Sequence, residues 1–175
     1  MTQPHPSASE ARSNAAFDAL LWALSRPGQL RPLGGPEAIV EALVDRECTV
    51  FAEDQTIALA AARAGAALVG AEQADYVFAG VLQSAALLGA IKKGSDLHPE
   101  EGATLIVSAR FGAGERLRLT GPGVDGALHA QVGGLPAGFW ALRAGVTRYP
   151  MGFDLFLVDD AEVMGLPRST QVEVL

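Results

Sequence analysis

Few residue types in this chain could carry catalysis or hold a metal ion, and their spacing brings few of them together. The histidines are His5, His98 and His129, and the only cysteine is Cys48. A metal site needs several His, Cys or carboxylate ligands at characteristic spacings, and these residues have no partner four positions away on a helix. Cys48 lies in an apolar segment, where a buried thiol stays protonated and unreactive. We therefore predict no metal site and no catalytic residue.

Turn glycines and the arginines near them are the candidates for binding an anion. Gly121 and Gly123 form a tight turn whose backbone N–H groups could bind phosphate, although the turn lacks the spacing of a P-loop. The arginines that could bind phosphate in a bidentate manner are Arg26, Arg148 and Arg168. Arginines near turns more often pair with carboxylates such as Asp154 or with carbonyl groups. The residues alone do not decide whether these arginines bind a ligand or have a structural role.

Composition narrows the classes of partner. The 175 residues include 13 Lys plus Arg and 20 Asp plus Glu, which gives a net charge of −7. This charge opposes binding to nucleic acid or to an anionic membrane. The most apolar stretch, residues 57–69, is interrupted by Arg63 and is too short to span a bilayer. One cysteine cannot form an intrachain disulfide, so we expect a reducing, cytoplasmic location.

Helical and strand-like patterns alternate along the chain. Residues 1–13 show no apolar period and predict a flexible N-terminal tail, with Ser13 or Asn14 capping the first helix. Further helices are predicted from Pro36, over 57–64, over 82–93 and from Phe139, and strands over 48–52, 67–69, 76–79, 104–109 and 115–119. The run Leu155–Val158, a turn, and residues 163–166 predict a C-terminal hairpin that ends at Pro167. The pattern favours a single α/β domain over 14–175, with a mixed sheet between helices in three α/β/α layers.

Four stretches together resemble one known family. They are the C-terminal run from Tyr149 to Thr170, residues 23–28 (ALSRPG), residues 94–105 (GSDLHPEEGATL) and residues 117–124 (LRLTGPGV). Their order and their flanking apolar runs are similar to PhnH, the H component of the bacterial carbon-phosphorus lyase system, from about Phe17 to Val174. Within these stretches, the residues that we regard as structural are Pro27, Gly28, Gly102, Gly152, Asp154 and Pro167.

The resemblance implies a fold and a function that the residues alone do not. It implies a fold like the large domain of pyridoxal-phosphate-dependent transferases, without the cofactor. Lys92 and Lys93 agree with that, because their place at the end of a predicted helix favours a surface role over a Schiff base.

The implied role is that of an accessory, non-catalytic subunit of a multi-subunit transferase. The chain would form a homodimer and assemble with the G, I and J components of the lyase, which make ribose 1-phosphonate 5-triphosphate from ATP and an alkylphosphonate. The nucleosidase chemistry would belong to the I component. The alternative is a free-standing nucleotide- or phosphonate-binding protein or enzyme with an anion pocket near Gly121.

Overall fold

Ten strands and five α-helices make up the computed structural model, which describes residues 7–175. The strands are β1 (Leu30–Pro32), β2 (Thr49–Ala52), β3 (Ala67–Leu68), β4 (Tyr76–Gly80), β5 (Thr104–Ser108), β6 (Arg110–Thr120), β7 (Leu128–Gly133), β8 (Asp154–Asp159), β9 (Glu162–Leu166) and β10 (Gln171–Val174). The helices are α1 (Ala8–Ser25), α2 (Pro36–Leu43), α3 (Gln55–Arg63), α4 (Leu87–Ala90) and α5 (Phe139–Val146), with a 3₁₀ turn at Pro99–Glu101.

Seven strands form the main sheet, in the order β1-β9-β8-β5-β4-β2-β3. The strands β3, β2, β4, β5 and β8 run parallel to one another, whereas β9 is antiparallel to both of its neighbours. The sheet is therefore mixed, as predicted. The C-terminal hairpin is also confirmed, because β8 and β9 pair from Leu155 opposite Leu166 to Asp159 opposite Glu162.

Both faces of the main sheet are covered. Successive residues of a strand point to opposite faces, so Leu105, Val107, Leu155 and Leu157 belong to one core cluster and Ile106, Phe156 and Val158 to the other. The second cluster packs against α1, α2 and α3. The first packs against α4 and α5. The long apolar run of β8 is thus explained by burial on both faces, the pattern expected of a central strand.

A second, three-stranded sheet lies over the face that α4 and α5 cover. Its order is β10-β6-β7, and both pairings are antiparallel. Leu117 and Leu119 of β6 are fully buried in the core cluster of this face. The predicted strand 115–119 therefore exists, but it belongs to this small sheet and not to the main one. One outer layer consequently contains strands as well as helices.

Two helix boundaries differ from the prediction. α1 begins at Ala8 because Ser7 and Glu10 form a capping box, in which each side chain accepts a hydrogen bond from the other residue's backbone N–H. The predicted tail 1–13 thus overlaps α1, and its residues 1–6, with His5, lie outside the described residues. The helix predicted over 82–93 is reduced to α4, because the Ser84 hydroxyl accepts the Ala86 N–H and favours a turn there.

Candidate functional site

One cavity lies at the carboxyl ends of the parallel strands, where open α/β sheets usually bind ligands. It has a volume of about 830 Å³ and is lined by residues that end or follow β2, β4, β5 and β8. The chain leaves β2 towards the sheet edge through α3 and leaves β4 in the opposite direction towards β5. Such a reversal opens a crevice between adjacent strands, and we call this cavity the edge crevice.

The edge crevice is strongly acidic. Its charged lining residues are Glu37, Glu53, Asp54, Asp159, Asp160 and Arg110. The N-terminus of α3 borders the crevice, but the Asp54 carboxylate accepts the backbone N–H groups of Thr56 and Ile57 at 2.7 and 3.2 Å. These backbone hydrogen bonds lower the pKa of Asp54. The N–H groups that could bind a phosphate are thus already occupied by an anion of the chain itself.

A smaller cavity of about 390 Å³ lies between α5 and the segment that connects β9 to β10. We call it the Arg143 cavity. Its lining includes Trp140, Arg143, Thr147, Arg168 and Thr170, and no Asp or Glu is among its lining residues. Trp140 and Arg143 lie one turn apart on the same face of α5, and Thr147 is the residue at which the helix ends. In a chain of net charge −7, this cavity is locally cationic.

Arg143 is the most unusual residue of the cavity, because its side chain is buried without a carboxylate bound to it. Only 3% of its surface is exposed. Nη1 donates to the Thr170 carbonyl at 3.1 Å, and Nη2 donates to the Pro167 carbonyl at 2.9 Å. Burial lowers the pKa of Arg143 to about 10, while the negative charge of Asp154 acts in the opposite direction. Arg143 therefore connects α5 to the segment after β9 and stays cationic at neutral pH.

The lining residues of this cavity also contribute most of the unsatisfied buried polar atoms. The atoms without a hydrogen-bond partner are Trp140 Nε1, Arg143 Nε, Thr147 Oγ1 and Thr170 Oγ1, and Arg31 Nε is the further one in the described part of the chain. Leaving a buried donor unpaired costs about 1–3 kcal/mol each. Native proteins keep such groups few. These four atoms have almost no accessible surface, so they are enclosed by the chain itself and do not face the cavity.

Arg168 also lines this cavity, but its guanidinium is already bound. Nη2 lies 2.8 Å from Asp154 Oδ2, and Nε lies 3.3 Å from Asp154 Oδ1. Nη1 donates to the Pro99 carbonyl. The side chains of Arg168 and Asp154 are 14% and 24% exposed, respectively. Arg168 therefore connects β8 to the loop before β5. These contacts favour a structural role for Arg168 over ligand binding.

The turn of Gly121 and Gly123 is packed against other backbone segments. Both residues have positive φ, +124° and +82°, which favours glycine. A Cβ atom on Gly121 would lie 2.8 Å from the Ser169 carbonyl, and one on Gly123 would collide with the Ser25 carbonyl. Glycine is therefore needed at both positions, because a side chain would not fit against the neighbouring backbone. The turn touches the segment of Ser169 and Thr170 but is not part of the Arg143 cavity lining.

The other residues that carry the family resemblance also pack against one another. A Cβ on Gly28 would lie 2.5 Å from a methyl group of Leu119, so α1 ends directly against β6. A Cβ on Gly102 would collide with the Gly152 carbonyl and lie 2.7 Å from Arg168 Nη1. The carbonyl of Pro167 accepts Nη2 of Arg143, and the ring of Pro27 lies against Gly123. The four distant stretches thus meet where α1, the small sheet and the segment after β9 come together.

The remaining predicted candidates lie outside both cavities. Arg26 caps the C-terminus of α1 and lies 5.7 Å above the ring of Trp22. Arg148 is exposed in a bridge to Met151. Lys92 binds Asp75, and Lys93 donates to the carbonyls of Gly89 and Ile91 at the end of α4. These contacts support surface and helix-end roles for both lysines.

Cys48 is partly buried, and its Sγ lies 3.4 Å from Asp45 Oδ1. Burial raises the pKa of the Cys48 thiol, which favours the unreactive form.

Sequence reasoning missed Trp140, Arg143, Thr147 and Thr170. One signal was available: Arg143 is the only charged residue in α5, and it lies one turn after the apolar Trp140, on the same helical face. A charged residue at a core-facing position requires a buried partner. The partners, however, are carbonyls of residues 166–170, and nothing in the sequence shows that this segment lies beside α5.

Within residues 7–175, no three His, Cys, Asp or Glu side chains come together in a way that could hold a metal ion. None of the helices described is both long and apolar enough to cross a membrane. The structure therefore defines a mixed α/β domain with an acidic crevice at the strand ends and a cationic cavity beside α5.

Comparison with known proteins gives the family. The chain belongs to the PhnH family of bacterial phosphonate metabolism proteins, whose model matches residues 6–173. It is 35% identical over 176 aligned positions to HtxG of Stutzerimonas stutzeri, a protein whose name assigns it to the C-P lyase subunits. That alignment covers 93% of this chain and 87% of HtxG.

Proposed function

We propose that this chain is an accessory, non-catalytic subunit of a carbon-phosphorus lyase core complex in phosphonate catabolism. The observation that carries the proposal is the family match over residues 6–173, together with the similarity to HtxG along 93% of the chain. In the proposed role, the chain supports the formation of ribose 1-phosphonate 5-triphosphate from ATP and an alkylphosphonate. The proposed location is the cytoplasm.

The electrostatics of the edge crevice support a non-catalytic role. ATP and phosphonates are anions, and the crevice where an α/β sheet usually binds its substrate carries five carboxylates and one guanidinium. Like charges in a cleft repel an anionic substrate. This charge distribution favours a reaction that takes place on another subunit, for which this chain supplies contacts.

Exposed apolar side chains on α1 support contact between this chain and another protein chain. Phe17 and Leu21, one turn apart on α1, are 47% and 58% exposed. Large apolar side chains grouped on one surface are typical of protein interfaces. We assign this surface to contact with another chain, either one of the G, I and J components of the lyase or a second copy in a homodimer.

The proposed relationship to the large domain of pyridoxal-phosphate-dependent transferases is supported by the order of layers. A sheet rich in parallel strands lies between helices in both folds. The lysine contacts support a cofactor-free relative, because Lys92 and Lys93 bind Asp75 and the α4 carbonyls and neither lines a described cavity.

The test is co-expression of this chain with the G, I and J components, purification through a tag on this chain, and measurement of the stoichiometry by light scattering. We expect a stable assembly that contains the I component. Leu21→Glu should weaken the assembly, whereas Ala15→Glu, which places the same charge at another exposed position of α1, should not. Recovery of this chain alone, with the I component soluble in the lysate, would refute the subunit role.

A second candidate function is a free-standing small-molecule binding protein or enzyme. The Arg143 cavity favours it, because two arginines and no carboxylate are among its lining residues, which suits an anionic ligand. In the proposed second function, the anion pocket lies at this cavity instead of beside Gly121. Growth on methylphosphonate as the sole phosphorus source separates the two candidates, because a host that lacks its own PhnH should grow only if this chain assembles with the remaining components of the lyase.

A further inference from the structure

The two most exposed large apolar side chains in the described part of the chain lie on loops at one end of the main sheet. Leu97 is 85% exposed and Tyr149 is 72% exposed. Leu97 belongs to residues 94–102, before β5, and Tyr149 belongs to residues 147–152, before β8. Because β5 and β8 are parallel neighbours, both loops lie at the amino ends of the strands, away from the edge crevice. We call these two segments the amino-end loops.

The loop of Leu97 is held in place by its own backbone. Ser95 and His98 exchange two backbone hydrogen bonds, of 3.0 and 3.2 Å. Lys93 and Gly102 pair where the loop begins and ends. A loop that is already ordered loses little conformational entropy when it binds a partner. The backbone therefore presents Leu97 to a partner at a low entropic cost.

Direct contacts join the two amino-end loops. The Gly152 N–H donates to the Lys93 carbonyl at 2.8 Å. The backbones pass so close that a Cβ on Gly102 would collide with the Gly152 carbonyl. Arg168 contacts both loops, because its Nη1 donates to the Pro99 carbonyl and a Cβ on Gly152 would lie 3.3 Å from the Cβ of Arg168. The two loops thus form one continuous surface.

The charge of the amino-end loops indicates which kind of partner fits them. Their exposed charged side chains are three carboxylates, Asp96, Glu100 and Glu101, and one guanidinium, Arg148, which give a net charge of −2 with His98 neutral. Contact between this surface and the same surface of a second copy would bring like charges together, in a chain whose net charge is −7. Complementary charges favour association, whereas like charges oppose it. A different, basic chain is therefore a better partner than a second copy.

We propose that the amino-end loops are a docking surface for a different protein chain, which receives Leu97 in an apolar pocket bordered by Lys or Arg. Interfaces typically have such an apolar centre and a polar rim. Tyr149 supplies an aromatic contact of the type that often dominates binding energy. This docking surface rests on the subunit role proposed above, because its partner is another component of the lyase. It is separate from the exposed side chains of α1, a helix that covers one face of the main sheet.

The test is a competition between two forms of the full-length chain for the same complex. The wild type with one tag and a variant with a second tag are co-expressed at equal levels with the G, I and J components. The complex is captured through the I component, and mass spectrometry gives the ratio of the two forms. Leu97→Ala and Tyr149→Ala should each be captured about tenfold less than the wild type, as expected for interface anchors. The matched control is Leu59→Ala, on α3, whose side chain is 52% exposed and which should compete equally.

A charge reversal tests the basic border of the pocket. Glu101→Lys should be captured several-fold less than the wild type, and the difference should shrink as salt is added. Glu72→Lys is the matched control, because it makes the same change at another exposed position. The urea midpoint of Leu97→Ala should equal that of the wild type, since the side chain is 85% exposed and its loss removes little packing.

The outcomes separate this docking surface from the subunit role. Equal capture of the wild type and all three loop variants would overturn the docking surface and leave the subunit role intact. Capture of the I component with neither form of this chain would refute both. Preferential capture of Glu101→Lys would show that the partner is acidic at this point, which contradicts the proposal. Light scattering of the isolated chain is the last check, because a homodimer that Leu97→Ala dissociates would make a second copy the occupant and overturn the proposal.

Discussion

The ion pair between Arg168 and Asp154 should contribute more to stability than any surface pair of this chain. Asp154 Oδ1 accepts the Arg168 backbone N–H at 2.8 Å and Nε at 3.3 Å, and Oδ2 accepts Nη2 at 2.8 Å. We predict that Asp154→Asn lowers the free energy of unfolding by about 3 kcal/mol, from the energies of charged hydrogen bonds.

The magnitude follows from the bonds that asparagine cannot replace. Its carbonyl oxygen can still accept the backbone N–H of Arg168, but it carries no charge and its amide group faces the guanidinium with another donor. Charge-assisted hydrogen bonds contribute about 1.5–3 kcal/mol each, and the 3.3 Å bond counts at the low end. Partial exposure, 14% and 24% for the two side chains, reduces the sum. For a chain of 175 residues, about 3 kcal/mol corresponds to a lowering of Tm by roughly 6–12 °C.

The assay is urea unfolding at pH 7, followed by far-ultraviolet circular dichroism. The slope of the free energy with urea should stay the same, so that the shift in midpoint reports stability. The matched control is Glu173→Gln, which neutralises the partner of Arg118 in a pair whose side chains are 45% and 62% exposed. We expect less than about 1 kcal/mol there.

A double-mutant cycle with Arg168→Met separates the pair from the other contacts of each residue. Arg168 also donates to Pro99, so its single replacement should destabilise the chain more than Asp154→Asn does. The coupling energy should be roughly 2 kcal/mol or more. A change below about 1 kcal/mol for Asp154→Asn, or a coupling near zero, would show that this pair does not anchor the segment after β9.

Three further predictions concern other parts of the chain. Gly123→Ala should destabilise the fold severely, because its Cβ would collide with the Ser25 carbonyl. The control Gly126→Ala is also at positive φ but has nothing within 4 Å of its Cβ, so it should lower the free energy of unfolding by only about 1–2 kcal/mol. Equal urea midpoints for the two variants would contradict this prediction. Burial opposes ionisation of Asp75, but hydrogen bonds from Lys92 and Thr49 outweigh it and lower its pKa below 3.8. The stabilisation is therefore complete above that pH and lost below it, so the difference in stability between wild type and Asp75→Asn should shrink as acid is added. Cys48 should react slowly with iodoacetamide at pH 7, with a rate that keeps rising beyond pH 9.0, because burial raises its pKa; a plateau near neutral pH would refute this.

Much of the main sheet could be predicted because its strands and turns carry local signals. The run Leu155–Val158 predicts a buried strand, and its position in the middle of the sheet explains why no polar residue interrupts it. Pro36 begins α2, as the missing N–H of proline favours. Ser7 and Glu10 have the spacing of a capping box, and this local signal begins α1 earlier than the apolar period from Phe17 predicts.

The small sheet could not be predicted from such signals. β6 is mostly exposed along its first half, so it shows little apolar alternation, and its partner β10 follows it by about fifty residues. The pairing depends on where α5 and the segment after β9 place the end of the chain. Strand register across such a distance is a property of the whole fold, because it is decided by which faces are buried together.

Local residue types and spacings were enough to establish the family, the order of most elements and the lack of a recognisable catalytic motif. The chemical character of the two cavities, in contrast, depends on the folded chain. Folding gathers carboxylates from separate loops at the edge crevice. It also places the guanidinium of Arg143 against carbonyls some 25 residues further along the chain. Charged side chains give a cavity its character only when distant segments are brought together, because electrostatic energies depend on distance in space and not on separation in sequence.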